Sequence, residues 1–125
     1  MSGNAHIAAL DNALAQAGED VILRRVAGTS NIDVKVRATV RAFRPEELVG
    51  GISQSDSLVI ISPTQIRQAQ WPGGQASGKA ANPLAPWLPT INDKIVQLGR
   101  VRSITFVKPF PVNGEIVRIE LTVVG

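Results

Sequence analysis

Groups able to perform covalent chemistry are few in this chain of 125 residues. A nucleophile needs a base to take its proton, and the single histidine, His6, falls in an Ala-rich N-terminal stretch that reads as a helix. A catalytic triad is therefore unsupported. The absence of cysteine removes disulfide frameworks, thiolate metal sites and nucleophilic thiols together, and one histidine excludes multi-histidine metal sites. Two carboxylate pairs occur, Glu19-Asp20 and Glu46-Glu47. Adjacent residues point apart in a strand, and the second pair opens a long connection, so both read as solvated surface charge rather than acid–base groups. Gly50-Gly51 and Gly73-Gly74 are not followed by the complete Gly-Lys-Ser/Thr, or by the Gly-x-x-Gly at a strand-to-helix junction, that a phosphate-cradling loop requires. The chain is expected not to be an enzyme and to use no cofactor and no metal.

Thirteen Lys and Arg against ten Asp and Glu give a formal net charge of +3. That excess is compatible with a nucleic acid nearby, but dedicated binders concentrate charge more strongly. Tyr is absent and the Phe and Trp residues are scattered, which weakens a base-stacking platform. No segment approaches a membrane-spanning run and none reads as a signal peptide, so the expectation is a soluble cytoplasmic protein with no membrane association.

The elements that would position any site are mostly strands. Residues 5–17 read as a helix, with Ile7, Leu10 and Leu14 on one face, Asn4 as its cap and Gly18 as a left-handed stop. Residues 20–26 form a first strand, and after the 28–31 turn a longer one follows. There Val34, Val36, Ala38, Val40 and Ala42 alternate with Lys35, Arg37, Thr39 and Arg41. A compact apolar strand spans 57–61. Ser62, Pro63 and Gln65 signal a short helix over 63–69. Three strands close the chain, at 94–98, 101–108 and 115–123. Gly99-Arg100 and Asn113-Gly114 supply their turns, and Pro109-Phe110-Pro111 breaks the second. The fold class expected is mainly β, a barrel or sandwich of about six antiparallel strands with an N-terminal α-helix, in one domain over 1–125. Val36, Val40, Leu58, Ile60, Ile104, Phe106, Ile119 and Leu121 are its expected core.

Two long connections, 44–55 and 71–89, are expected to be mobile, and connections of that length are usually functional or disordered. They hold the apolar set available to a partner: Val49, Ile52, Trp71, Leu84, Trp87 and Leu88. Trp71 and Trp87 bracket the second connection and serve either as anchors to the core or as exposed hot spots. Lys35, Arg37 and Arg41 form a basic stripe on one strand face, whose plain reading is a solvated surface.

The order of helix, two strands, long loop, the Asp56-Ser57-Leu58-Val59-Ile60-Ile61-Ser62 strand, a short helix, Asn92-Asp93-Lys94-Ile95-Val96 and closing strands resembles the head–tail joining proteins of long-tailed phages, the family of the lambda head–tail joining protein. The likeness covers about residues 5–124. The chain departs from it in the longer 71–89 segment and in Asn92 where a turn glycine is usual. The resemblance implies a virion protein of the neck, assembled in the bacterial host cytoplasm, that closes the DNA channel and joins the filled head to the tail. Its implied partners are the portal or adaptor proteins and the tail-terminator or tail-tube proteins. Such a protein is a monomer in solution and a homo-oligomeric ring on the particle, where the basic stripe faces either transiently contacted DNA or the next subunit. A tail-completion or tail-terminator protein, or an OB-type nucleic-acid-binding module, are the alternatives.

Overall fold

The computed structural model describes residues 3–43, 56–73, 85 and 87–125. Its elements run α1 (Gly3–Ala17), β1 (Glu19–Ala27), β2 (Ser30–Ala42), β3 (Ser57–Ile61), α2 (Thr64–Gln68), β4 (Lys94–Gln97), β5 (Arg100–Val112) and β6 (Glu115–Val124). The six strands close into one antiparallel barrel in the order β1-β2-β3-β6-β5-β4, with β4 returning to pair β1. Closure comes from the pairing of β3 with β6 and of β4 with β1, while tight turns join the hairpins. Gly28 opens the β1–β2 turn, and Asn113-Gly114, both at positive φ, make the primed turn expected between β5 and β6. The β4–β5 turn is shifted by one residue from the expected one: Leu98 and Gly99 take the positive-φ positions while Arg100 pairs with Gln97.

Inward side chains fill the barrel. Val21, Leu23, Val36, Val59, Ile61, Ile95, Ile104, Ile119, Leu121 and Val123 form its core, joined from outside the sheet by Ile66 of α2 and by Trp71 and Leu88. Eight core positions were expected. Val36, Ile104, Ile119 and Leu121 are buried inside the barrel as expected, and Val40 packs against the core while half-buried. In β3 the faces are reversed. Val59 and Ile61 point inward, Ile60 is half-buried, and Leu58 is buried on the outer face. Phe106 is the clearest correction, being 58% exposed. The register explains it. Ile104 pairs with Val123 but Phe106 with Thr122, so an extra residue intervenes and the alternation changes phase.

The prolines at 109 and 111 do not end β5, which continues through them to Val112. Beyond Ser103, β5 is paired only with β6 among the described residues, and a strand flanked on one side tolerates missing N–H donors. Helix α1 begins at Gly3, one residue before the expected cap, and packs against β6 and β2. Gly18 is needed for a reason other than a left-handed stop. A Cβ there would meet Leu14 O at 2.5 Å and Ala38 O at 2.8 Å, so only glycine lets the helix end approach β2. Ser62 Oγ accepts from Thr64 N–H at the start of α2, where Pro63 occupies the cap position. Gln65 makes no reciprocal cap, its Oε1 having no partner among the described residues.

Candidate interaction surfaces

The basic stripe is divided by its surroundings. Lys35, Arg37 and Arg41 do share the outer face of β2, but of the three only Lys35 is exposed, the two arginines being half-buried. Arg37 donates from Nε to Leu14 O at 2.9 Å and from Nη2 to Ala15 O at 3.4 Å, and pairs through Nη1 with Asp20 at 3.3 Å. A guanidinium so placed satisfies carbonyls at the C-terminal end of α1, where cations are favoured. Arg41 donates to the Ala42 carbonyl and lies across from Leu58 in the sheet. Arg37→Ala should therefore destabilise the protein by about 1–2 kcal/mol, whereas Arg41→Ala should stay within about ±0.5 kcal/mol. Equal midpoints for the two variants in urea denaturation would contradict this division.

The apolar partner set is divided as well. Trp71 is 3% exposed and Leu88 is 0% exposed, so both belong to the core and neither offers a surface. Trp71 Nε1 donates to Ile32 O at 2.8 Å, which anchors the start of the second long connection on β2. Trp87 is half-buried, packs against the core, and lies under the Arg67 guanidinium at 5.3 Å from the ring centroid. Val49, Ile52 and Leu84 lie outside the described residues, as do most of the 44–55 and 71–89 connections whose mobility was expected.

Each end of the barrel is closed by an inward arginine. At the end bearing the β1–β2 turn, Arg25 makes a bidentate pair with Asp93, Nε to Oδ1 at 2.8 Å and Nη2 to Oδ2 at 2.9 Å. Asp93 also accepts from the Thr90 backbone N–H at 2.8 Å, and Arg25 Cζ lies 4.9 Å from the Trp71 ring centroid. Both charges are thus paired and the cation is stacked, which is what burial of an ion pair requires. At the opposite end Arg102 donates to Gln97 Oε1 and Ser57 Oγ, while Gln97 in turn donates to Glu19. Burial, aided by the charge of Arg100, lowers the Arg102 pKa, and Asp56 opposes that shift. These arginines were missed in the sequence reading, although Arg25 continues the inward period of Val21 and Leu23, and Arg102 that of Ile104.

Two concavities on the outside are lined by described residues. One of about 480 Å³ lies between α1, α2 and β2, lined by Asp11, Asp20, Lys35, Arg37 and Gln65 among others. Asp11 there accepts from Thr64 Oγ1 at 2.6 Å, tying α1 to α2. The other, about 200 Å³, is walled by Phe43, Leu58, Phe106, Lys108, Glu120 and Thr122. Close to it, Phe110 lies between Lys108 and Arg118, at 5.1 and 5.7 Å from its centroid. All three phenylalanines of the chain therefore gather on or beside the outer face of β3, β6 and β5. Phe106 and Phe110 share one strand, but nothing in the sequence placed Phe43 beside them. Among the described residues no cluster of three His, Cys, Asp or Glu could hold a metal, and no helix is long and apolar enough to cross a membrane. The chain matches no protein-family model and no curated protein.

Proposed function

We propose that this protein is a structural, non-enzymatic component of a phage neck, which joins the filled head to the tail as one member of a ring. The observation that carries the reading is the distribution of exposed apolar side chains on an otherwise well-filled barrel. Val26 and Ile91 are exposed near the end bearing the β1–β2 turn, and Leu98, Val101 and Phe106 toward the other. A ring member needs neighbours beside it and partners above and below, so apolar contacts on several sides suit it. The element order along the chain is also the order on which the resemblance to head–tail joining proteins rests. Because side chains pack the barrel interior, a DNA channel would lie between copies and not through one. The partners in this reading are portal or adaptor proteins on one side and tail proteins on the other, and the protein resides in the virion.

An OB-type nucleic-acid module has less support, because Arg37 is occupied by α1 and Asp20. Electron microscopy of particles made without the protein tests the proposal. Full heads lacking tails are expected. Tails of abnormal length would transfer the role to a tail terminator, and normal particles would remove it from the neck.

A further inference from the structure

Asp11 and Gln65 each carry a buried oxygen that accepts no hydrogen bond. Asp11 uses Oδ2 for the Thr64 hydroxyl at 2.6 Å, while its Oδ1 and the Oε1 of Gln65 have no partner. No cation among the described residues stands within ion-pair distance of the Asp11 carboxylate. A buried acceptor left unmade is costly, the more so when it is charged, and native folds rarely keep two on one cavity without a use for them.

Both residues line the concavity of about 480 Å³ between α1, α2 and β2. Small-molecule sites usually enclose about 300–1,000 Å³. Each of the two side chains is half-buried as a whole, so rotation about its soft terminal bond carries the oxygen to the opening. The other charges around the concavity narrow the ligand. Arg37 and Asp20 are engaged with each other, and Arg37 also with the carbonyls of Leu14 and Ala15. Lys35 is exposed on β2 and makes no hydrogen bond or ion pair with a described residue. The helices thus offer two acceptors, one of them anionic, and β2 offers one available cation. A ligand that is only a cation would meet Lys35, and one that is only an anion would meet Asp11. A ligand carrying both charges answers each.

We propose that this concavity binds a small zwitterion, a free α-amino acid, whose ammonium donates to Asp11 Oδ1 and Gln65 Oε1 and whose carboxylate pairs with Lys35. A primary ammonium has three N–H donors and no acceptor, which suits two oxygens that lack only donors. The ammonium end carries most of the affinity, because its partners are buried whereas Lys35 is exposed and its ion pair is weakened by solvent. The site lies within one copy of the chain, so it stands or falls separately from the neck reading.

Titration of isotopically labelled protein with L-alanine, L-leucine, L-glutamate and L-lysine, followed by NMR, tests the site. At least one of the four should shift the amide signals of α1, α2 and the middle of β2 in a saturable way. The amine and the acid that each keep one charge of the tightest binder should bind at least about tenfold more weakly. No saturable shift with any of the four overturns the proposal, as does an amine that binds as tightly as its parent amino acid. Asp11→Asn keeps an acceptor for Thr64 and removes the charge, so the variant should fold and bind about tenfold more weakly or worse. Gln65→Met keeps much of the volume and removes the unpartnered oxygen. Binding should be lost while the thermal midpoint of the free protein holds or rises. A lowered midpoint would mean that the Gln65 amide is already bonded in the free protein, as by Nε2 donating to Asp11, and would overturn the assignment.

Discussion

Asp93→Ala should cost about 3–5 kcal/mol, the range for breaking a buried ion pair by removing one partner. Asp93 is fully buried, and its two oxygens take both prongs of the Arg25 fork together with the Thr90 N–H. Alanine would remove both acceptors that the Arg25 fork meets at Asp93 and leave the guanidinium inside the barrel end beside the Trp71 ring. Since stability totals only about 5–15 kcal/mol for a typical domain, the variant should be largely unfolded or strongly destabilised in urea titration. A paired control separates charge from packing. Arg25→Met with Asp93→Leu should recover most of the loss, because apolar residues of similar volume commonly replace a buried pair without penalty. Full stability of Asp93→Ala alone would mean that water reaches Arg25 and that this barrel end is open.

The second large effect is expected at Trp71. Trp71→Ala removes a core side chain, a hydrogen bond to Ile32 O and the surface on which Arg25 stacks. A loss of about 3–5 kcal/mol follows from cavity formation alone. Trp71→Phe keeps much of the volume and drops the indole N–H, so a smaller cost of about 1–3 kcal/mol is expected from the unpaired carbonyl. Thermal unfolding of the two variants measures the division. Near-native stability of the alanine variant would return Trp71 to the list of partner-facing residues.

These two predictions concern groups whose importance came from contact between distant segments. Arg25 and Asp93 are 68 residues apart in sequence, and Trp71 meets Ile32 across 39. The sequence carried a trace of the first, because Arg25 falls in phase with Val21 and Leu23 on β1. Alternation marks a side chain as inward but does not name its partner. The second tryptophan illustrates the same limit. Both tryptophans bracket one connection, yet Trp71 is in the core and Trp87 only half-buried, a difference set by what each meets in space.

What local chemistry dictates was legible from the sequence by itself. The period of two in β2 and β6, the Asn113-Gly114 turn, the extent of β3 and the short helix after it all follow from propensity and steric preference over a few neighbouring residues. They sufficed for the class of fold, a six-stranded antiparallel structure with an N-terminal helix. Tertiary structure alone decided the rest. It chose closure into a barrel, reversed the expected faces of β3, turned Phe106 outward through a register shift, and brought three phenylalanines together. The apolar run of β3 has no alternation to reveal its phase, and a shift in β5 depends on hydrogen bonds offered by β6. Side-chain direction in a strand changes with every single-residue step, so a one-residue difference in pairing exchanges inside for outside. That choice belongs to the partner strand, and it is why the surfaces available to other molecules emerged only once the barrel was closed.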